Sequence, residues 1–151
     1  MTTKNIWTDI RQFQEAAGQN LNKVPRFPDG SIRLSFGLSL IAIKSAINAF
    51  DNRFSANSER ELRIKLLLEE IAEYLDAEVN DDLVETADAL TDIHYIAGGT
   101  ENSYGFDGQA HFDEVQGSNM SKAVNGVMEK NSDGKVIKPE GYYKPNLRQF
   151  L

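Results

Sequence analysis

The chain is predicted to be all-α: an antiparallel helical bundle finished by a short C-terminal hairpin and an extended arm. Three observations carry this. Residues Ser58 to Val79 are rich in Leu, Glu, Lys and Arg and hold no Gly or Pro, the make-up of a strong helix. Residues Asp82 to Gly98 repeat apolar positions at helical spacing,. Only Asn80 and Asp81 separate the two stretches, and so short a link makes them antiparallel neighbours. With 151 residues the chain can bury one core, so residues 1–151 are expected to form a single domain.

The remaining elements follow in order. Ile6, Ile10, Phe13 and Ala17 recur at helical spacing, which predicts a short first helix stopped by Gly18. Gln19 to Gly30 contains Pro25 and Pro28 and reads as a loop. Ser31 to Asn52 predicts a helix from about Leu34, although Ile32 to Phe36 alternates as a strand does. Ser55 to Ser58 reads as a break, and Ser58 with Glu61 resembles a capping box that opens the next helix,. Gly98, Gly99, Gly105 and Gly108 punctuate the loop after the hairpin. A last helix is expected from Asp107 or Gly108 to Ala123. Val127 to Ile137 carries Asp133-Gly134, a hairpin turn signal,. Pro139 to Leu151, with Tyr142 and Tyr143 between two prolines, reads as an arm over the helical body.

Composition narrows the function. Lys and Arg number 16 against 23 Asp and Glu, a formal charge of −7. A bare surface that wraps nucleic acid needs the opposite excess. There is no Cys, which excludes a disulfide framework, a zinc–thiolate site and thiol catalysis. His94 and His111 are the two His, too few for a three-His metal site. No stretch matches a membrane span. Residues Met1 to Ile10 lack the basic-then-apolar pattern of a signal peptide,. A soluble cytoplasmic protein is the expectation.

The informative residues are acidic. Glu69, Glu70 and Glu73 fall within one sector of about 100° on a helical wheel. Ile64, Leu67, Leu68, Ile71 and Leu75 form the expected core stripe across from them. Leu62 and Leu66 extend the acidic face upstream, so that face is not purely a solvated one. On the next helix Glu85, Asp88 and Asp92 share about 60°, with Leu83, Ala87, Leu90, Ile93 and Ala97 as the expected core stripe. Like charges one turn apart repel. Two antiparallel helices that bring such acids together call for a divalent cation, and oxygen ligands suit Mg²⁺ or Mn²⁺. A di-iron bundle wants Glu-x-x-His, but Thr91 and Gly108 stand three residues before the two His. His94 is therefore read as a packed core residue and His111 as a surface or cap residue. Trp7, Phe13 and Tyr95 could stack on a base, although single aromatics more often serve the core.

Glu70-x-x-Glu73 followed by Glu85-x-x-Asp88 resembles the signature of the all-α nucleoside triphosphate pyrophosphohydrolases. That superfamily includes the MazG proteins, the phosphoribosyl-ATP pyrophosphohydrolases and the dimeric dUTPases. Leu66 to Glu70, Ala87 to Asp92, Tyr95, Ser118-Asn119-Met120-Ser121-Lys122 and the tail from Asp133 to Pro145 are similar to a compact MazG-like branch that also occurs in phages. The resemblance runs from about Glu61 to Leu151 and is faint in Ile10 to Gln19. Two departures stand out. The segment between Pro28 and Ser58 is longer than in short members, and residues 74 to 84 make a short link between the two acidic motifs, hence a tight hairpin tip.

The resemblance implies a MazG-like bundle that hydrolyses a nucleoside triphosphate to the monophosphate and pyrophosphate. It implies Glu70, Glu73, Glu85 and Asp88 as metal ligands, Asp92 as an extra ligand or a support behind them, and two or three Mg²⁺ per site. Glu69 would be a ligand or the water-activating base. Asn119 and Lys122, three apart on the last helix, would meet phosphate oxygens. A guanine deoxynucleotide (dGTP or GTP) is the expected substrate, with a dUTP/dCTP-type activity as the alternative. A phosphoribosyl compound is a further possibility, as is a non-catalytic helical interaction protein that kept the fold. A homodimer or homotetramer is implied, with helix Leu34 to Phe50 as the expected interface. Nucleic acid and membrane are not expected partners.

Overall fold

The structure, a computed structural model, describes residues 5–32, 35–53 and 58–151. Its described residues form five α-helices and no strand: α1 Ile6–Ala16, α2 Ser35–Arg53, α3 Glu59–Val79, α4 Leu83–Tyr104 and α5 Gly108–Met120. A short 3-10 turn, Leu147–Phe150, closes the chain. The all-α expectation is met. The expected second-helix start at Leu34 and residues 55–57 of the expected break lie outside the described residues. Contacts divide the chain into two compact units, Val24–Tyr104 and Met1–Lys23 with Gly105–Leu151.

The first unit is built on the α3–α4 hairpin, with α2 packed on α3. Ser58 caps α3 by accepting from Glu61 N at 3.5 Å. Asn80 closes the helix, and Asp81 makes the turn at φ 53°, a left-handed conformation that Asp tolerates. Asp82 then caps α4, its Oδ1 accepting from Val84 N and Glu85 N at 3.1 Å each. The tight hairpin tip is thus two capping residues around one strained one. The helix runs through Gly98 and Gly99, past its expected end, to Tyr104. Thr100 and Ser103 hydroxyls donate to Ile96 and Gly99 carbonyls at 2.8 and 3.0 Å, and only Gly105, at φ 72°, turns the chain.

The core differs from the expected stripes. The buried side chains of the hairpin are Ala72 and Ala77 in α3 and Thr86 and Ala89 in α4. Small side chains let helix axes approach closely, and the Thr86 hydroxyl is satisfied by Asp82 O at 2.7 Å,. Leu83, Ala87, Leu90 and Ala97, the expected core stripe of α4, are exposed, and Ile93 is half-buried. Ile64 of the α3 stripe is also exposed. His94, Tyr95 and Trp7 are exposed as well, Tyr95 at 80%, so none of the three is a core residue. The helix α4 is rotated so that the side bearing Thr86 and Ala89 is the covered one.

In the second unit α1 packs against α5. Asn5 caps α1 by accepting from Trp7 N, and Gly18 follows its end at φ 58°. Ala17 and Met128 are buried there, and Met128 N donates to Ala16 O at 2.9 Å. Asp107 caps α5. The helix ends at Met120 rather than Ala123, in a turn stabilised by Ser121 Oγ donating to Ser118 O at 2.7 Å. The Asp133-Gly134 turn forms, but it pairs only through an isolated bridge between Lys130 and Val136. The arm is pinned to α5. Buried Ser118 donates to Tyr143 O at 2.8 Å, Tyr143 N donates to Ser121 Oγ at 3.2 Å, and Asn146 N donates to Glu114 at 2.8 Å. The Tyr143 hydroxyl fills the space that a Cβ on residue 117 would need, which is why Gly stands there.

Candidate active site

Helix register brings the acids together. Glu70 and Asp92 lie equally far along the chain from Asp81, on helices with the same rise per residue. They therefore stand level across the hairpin, and Glu73 stands close to the level of Asp88. The electrostatics agree. Glu70 is half-buried, and its Oε2 is buried with no hydrogen-bond partner among the described residues. Burial raises its carboxyl above the ordinary 4.5, and the negative charges of Glu73, Asp92, Glu69 and Asp88 add to the rise. Five of the predicted acids thus share one neighbourhood, three from α3 and two from α4.

Glu85 is the predicted ligand that this neighbourhood does not include. It sits in the first turn of α4 and is exposed. By the same counting it stands level with Ala77, about 10 Å along the axis from Glu70. Glu69 has a cation at hand: Lys65 Nζ is 3.4 Å from its Oε1, both side chains largely covered. Among the described residues, no three Asp, Glu or His side chains stand close enough as they are to hold a metal ion. The donor set nonetheless fits a hard divalent cation. It consists of oxygens, it carries excess negative charge, and Glu70 Oε2 is a buried acceptor that nothing among the described residues satisfies,.

Sequence reasoning missed Lys44. It comes from α2 and lines a cavity of about 290 Å³ with Ile47, Glu69, Ala72, Glu73 and Asp76. Its ammonium stands 3.9 Å from Asp76, and both are about half exposed. Its place as the sole charged residue between Leu34 and Phe50 was the available signal. A second cavity of about 530 Å³ is lined by Pro25, Phe27, Pro28, Tyr74, Leu83 and Leu90, among others. Burial and neighbouring Glu78 raise the Tyr74 hydroxyl above its ordinary range there.

Asn119 and Lys122 belong to the other unit. Lys122 lies just past the end of α5, not on it, yet its Nζ donates to Asn119 Oδ1 at 2.7 Å. The same ammonium stands 5.8 Å from the ring centres of Phe13 and Tyr142. Phe13 is thus a cation's neighbour rather than a free stacking face. His111, expected at the surface or a cap, is half-buried. Its ring meets Phe106 and Phe150 edge-on at 5.3 and 5.4 Å.

The raised Glu70 carboxyl gives a stability prediction. The folded protein holds that proton more tightly than the unfolded chain does. The metal-free fold is therefore favoured below pH 4.5 and loses stability as pH rises through the raised value,. Glu70→Gln removes the buried charge, so the metal-free melting temperature at pH 7 should rise by a few degrees. The gap to wild type should close on acidification, and added Mg²⁺ should stabilise wild type far more than the variant. Equal metal-free melting temperatures at pH 7 would show that the charge is not confined.

Comparison with known proteins gives two findings. A family model described as phosphoribosyl-ATP pyrophosphohydrolase matches residues 42–119, just over half of the chain, from within α2 to the end region of α5. The crystal structure of a candidate NTP pyrophosphohydrolase from Exiguobacterium sp. 255-15 matches with a TM-score of 0.56 and 25% identity, over 95% of this chain and 90% of that one. No curated protein matches significantly. The matched span covers all the predicted acids and ends on Asn119.

Proposed function

The chain belongs to the phosphoribosyl-ATP pyrophosphohydrolase family of the all-α NTP pyrophosphohydrolases and is a pyrophosphohydrolase, and from that premise we propose that it hydrolyses a nucleoside triphosphate to the monophosphate and pyrophosphate with the help of Mg²⁺ or Mn²⁺. The observation that carries the reading is the half-buried Glu70 carboxylate among Glu69, Glu73, Asp88 and Asp92, with an oxygen left without a partner among the described residues. Glu70, Glu73, Asp88 and Asp92 would hold the cations, two or three per site, and Glu85 would join from the Glu73 end. Such ions screen the phosphates and stabilise charge at the reacting phosphorus.

The chain's own groups supply the rest. Lys65 holds Glu69 in place, where the Glu69 carboxylate can accept a proton from the attacking water. Asn119 and Lys122 bind phosphate oxygens through an amide dipole and a point charge. The guanine deoxynucleotide dGTP is the proposed substrate, GTP, dUTP and dCTP being its competitors. The name of the matching family favours one further reading, a phosphoribosyl nucleotide. Exposed Leu38 and Ile41 on α2, with Leu83, Val84 and Leu90 on α4, support a homodimer or homotetramer. Apolar area of this kind is stabilised by a second copy. No helix of the described residues is long and apolar enough to cross a membrane.

The test is a product analysis on the common nucleoside triphosphates and phosphoribosyl-ATP with Mg²⁺. The monophosphate and pyrophosphate are expected as first products, fastest from dGTP. Stoichiometric orthophosphate with a nucleoside diphosphate would remove the reading. A preference for phosphoribosyl-ATP would replace the substrate and keep the bond that breaks.

A further inference from the structure

Tyr142, in the C-terminal arm, carries two cations. Lys138 Nζ lies 4.8 Å from the centre of its ring and Lys122 Nζ lies 5.8 Å from it. Among the described residues neither ammonium pairs with a carboxylate, although the chain has 23 Asp and Glu against 16 Lys and Arg. A ring face attracts one ammonium, but gathering two like charges on one ring adds repulsion that an exposed cation–π contact offsets poorly. The arrangement is nevertheless built in. Tyr142 N donates to Pro139 O at 3.0 Å, a turn that folds Lys138 back toward the ring. The next residue, Tyr143, is tied to Ser118 and Ser121 and packs against Gly117. Lys122 is tied to Asn119. Two fixed ammonium groups on one aromatic platform form a site for a polyanion whose neighbouring charges can meet both.

We propose that Lys138 and Tyr142 join Lys122 in an anion site that takes a phosphoanhydride chain, Lys138 binding phosphate oxygen directly and Tyr142 holding the two ammonium groups at one place. The inference rests on the pyrophosphohydrolase reading and extends it to the arm. The phosphoanhydride is that of the bound nucleotide or of released pyrophosphate, and both present the same chemistry.

Calorimetric titration with inorganic pyrophosphate, without added metal, tests the site by itself. Wild type should bind. Lys138→Ala and Tyr142→Ala should each weaken Kd by roughly 10-fold, the loss of one charge-assisted contact. Lys138→Arg and Tyr142→Phe keep the charge and the ring, and should bind almost as wild type does. Lys144→Ala removes an exposed cation of the same arm and should change nothing, which separates the site from general charge. No pyrophosphate binding by wild type, or equal binding by Lys138→Ala, overturns the proposal. Kinetics on the preferred triphosphate separate the two sources. A raised KM in Lys138→Ala assigns the site to the substrate's phosphates, and weakened product inhibition alone assigns it to pyrophosphate. A wild-type protein that binds pyrophosphate yet hydrolyses no nucleotide would overturn the activity reading and leave the anion site standing.

Discussion

Glu73→Gln and Asp88→Asn should each cut turnover by at least about 100-fold at saturating Mg²⁺ while leaving the helices folded. Loss of a group that merely supports a metal ligand already costs 10- to 100-fold, so loss of a ligand itself should exceed that. Each change keeps the side-chain shape and removes a hard anionic oxygen. Neither side chain is part of the core, since both are exposed, so the fold has no packing reason to fail. Both charges press on Glu70, and their removal should relieve it and raise the metal-free melting temperature. The diagnostic result is therefore a pair: lost activity and lost Mg²⁺ stabilisation, with a metal-free melt at or above that of wild type. Near-wild-type turnover in either variant would reduce these acids to a solvated face. Glu85→Gln supplies the contrast. Its level on α4 puts it about 10 Å from Glu70 along the axis, so its metal-free melt should stay closer to wild type.

Lys122→Ala should cost on the order of 10- to 100-fold in kcat/KM, the worth of a charge-assisted contact of roughly 1.5–3 kcal/mol in a site partly shielded from water. Mg²⁺ stabilisation should be untouched, because a charged ammonium does not ligate a metal. Asn119→Ala should show the same pattern more weakly, since it leaves the Lys122 ammonium charge in place and removes only a neutral amide, which also holds Nζ at 2.7 Å. Some stability is at stake as well. The ammonium meets the rings of Phe13 and Tyr142, contacts worth about 0.5–1 kcal/mol each at exposed sites. Melting the variant beside the kinetics separates the two effects. Unchanged kcat/KM on the best triphosphate would move the phosphate-binding charge elsewhere, with Lys44 at the edge of the acidic cluster the first alternative.

What the sequence determined by itself was local. The α3–α4 hairpin was legible because its composition, the Ser58 cap and the Asn80-Asp81 link act over a few residues, and short-range signals of that kind are written in consecutive letters. The acids of α3 and α4 were legible for the same reason: i, i+3 and i+4 spacing fixes which side chains share a face before any packing occurs. The Asp133-Gly134 turn and the Gly18 stop belong to the same class.

Tertiary structure decided the rest. An apolar stripe says that a helix covers something, not that the cover comes from its own chain. Leu83, Ala87 and Leu90 made the better stripe of α4, yet the chain buries Thr86 and Ala89 and leaves those three exposed. That choice follows from how closely the two helices can approach over small side chains, which no single helix records. It also turns the acid-bearing side of α4 toward α3, and so loads Glu70 with the charges of Asp88 and Asp92. Glu85 was indistinguishable from Asp88 by spacing. It parts from the cluster because the turn at Asp81 sets the register between the helices. Lys44, the anchoring of Tyr143 on Gly117 and the meeting of Lys122 and Lys138 on Tyr142 join residues far apart in the chain, and proximity of that kind exists only once the chain has folded.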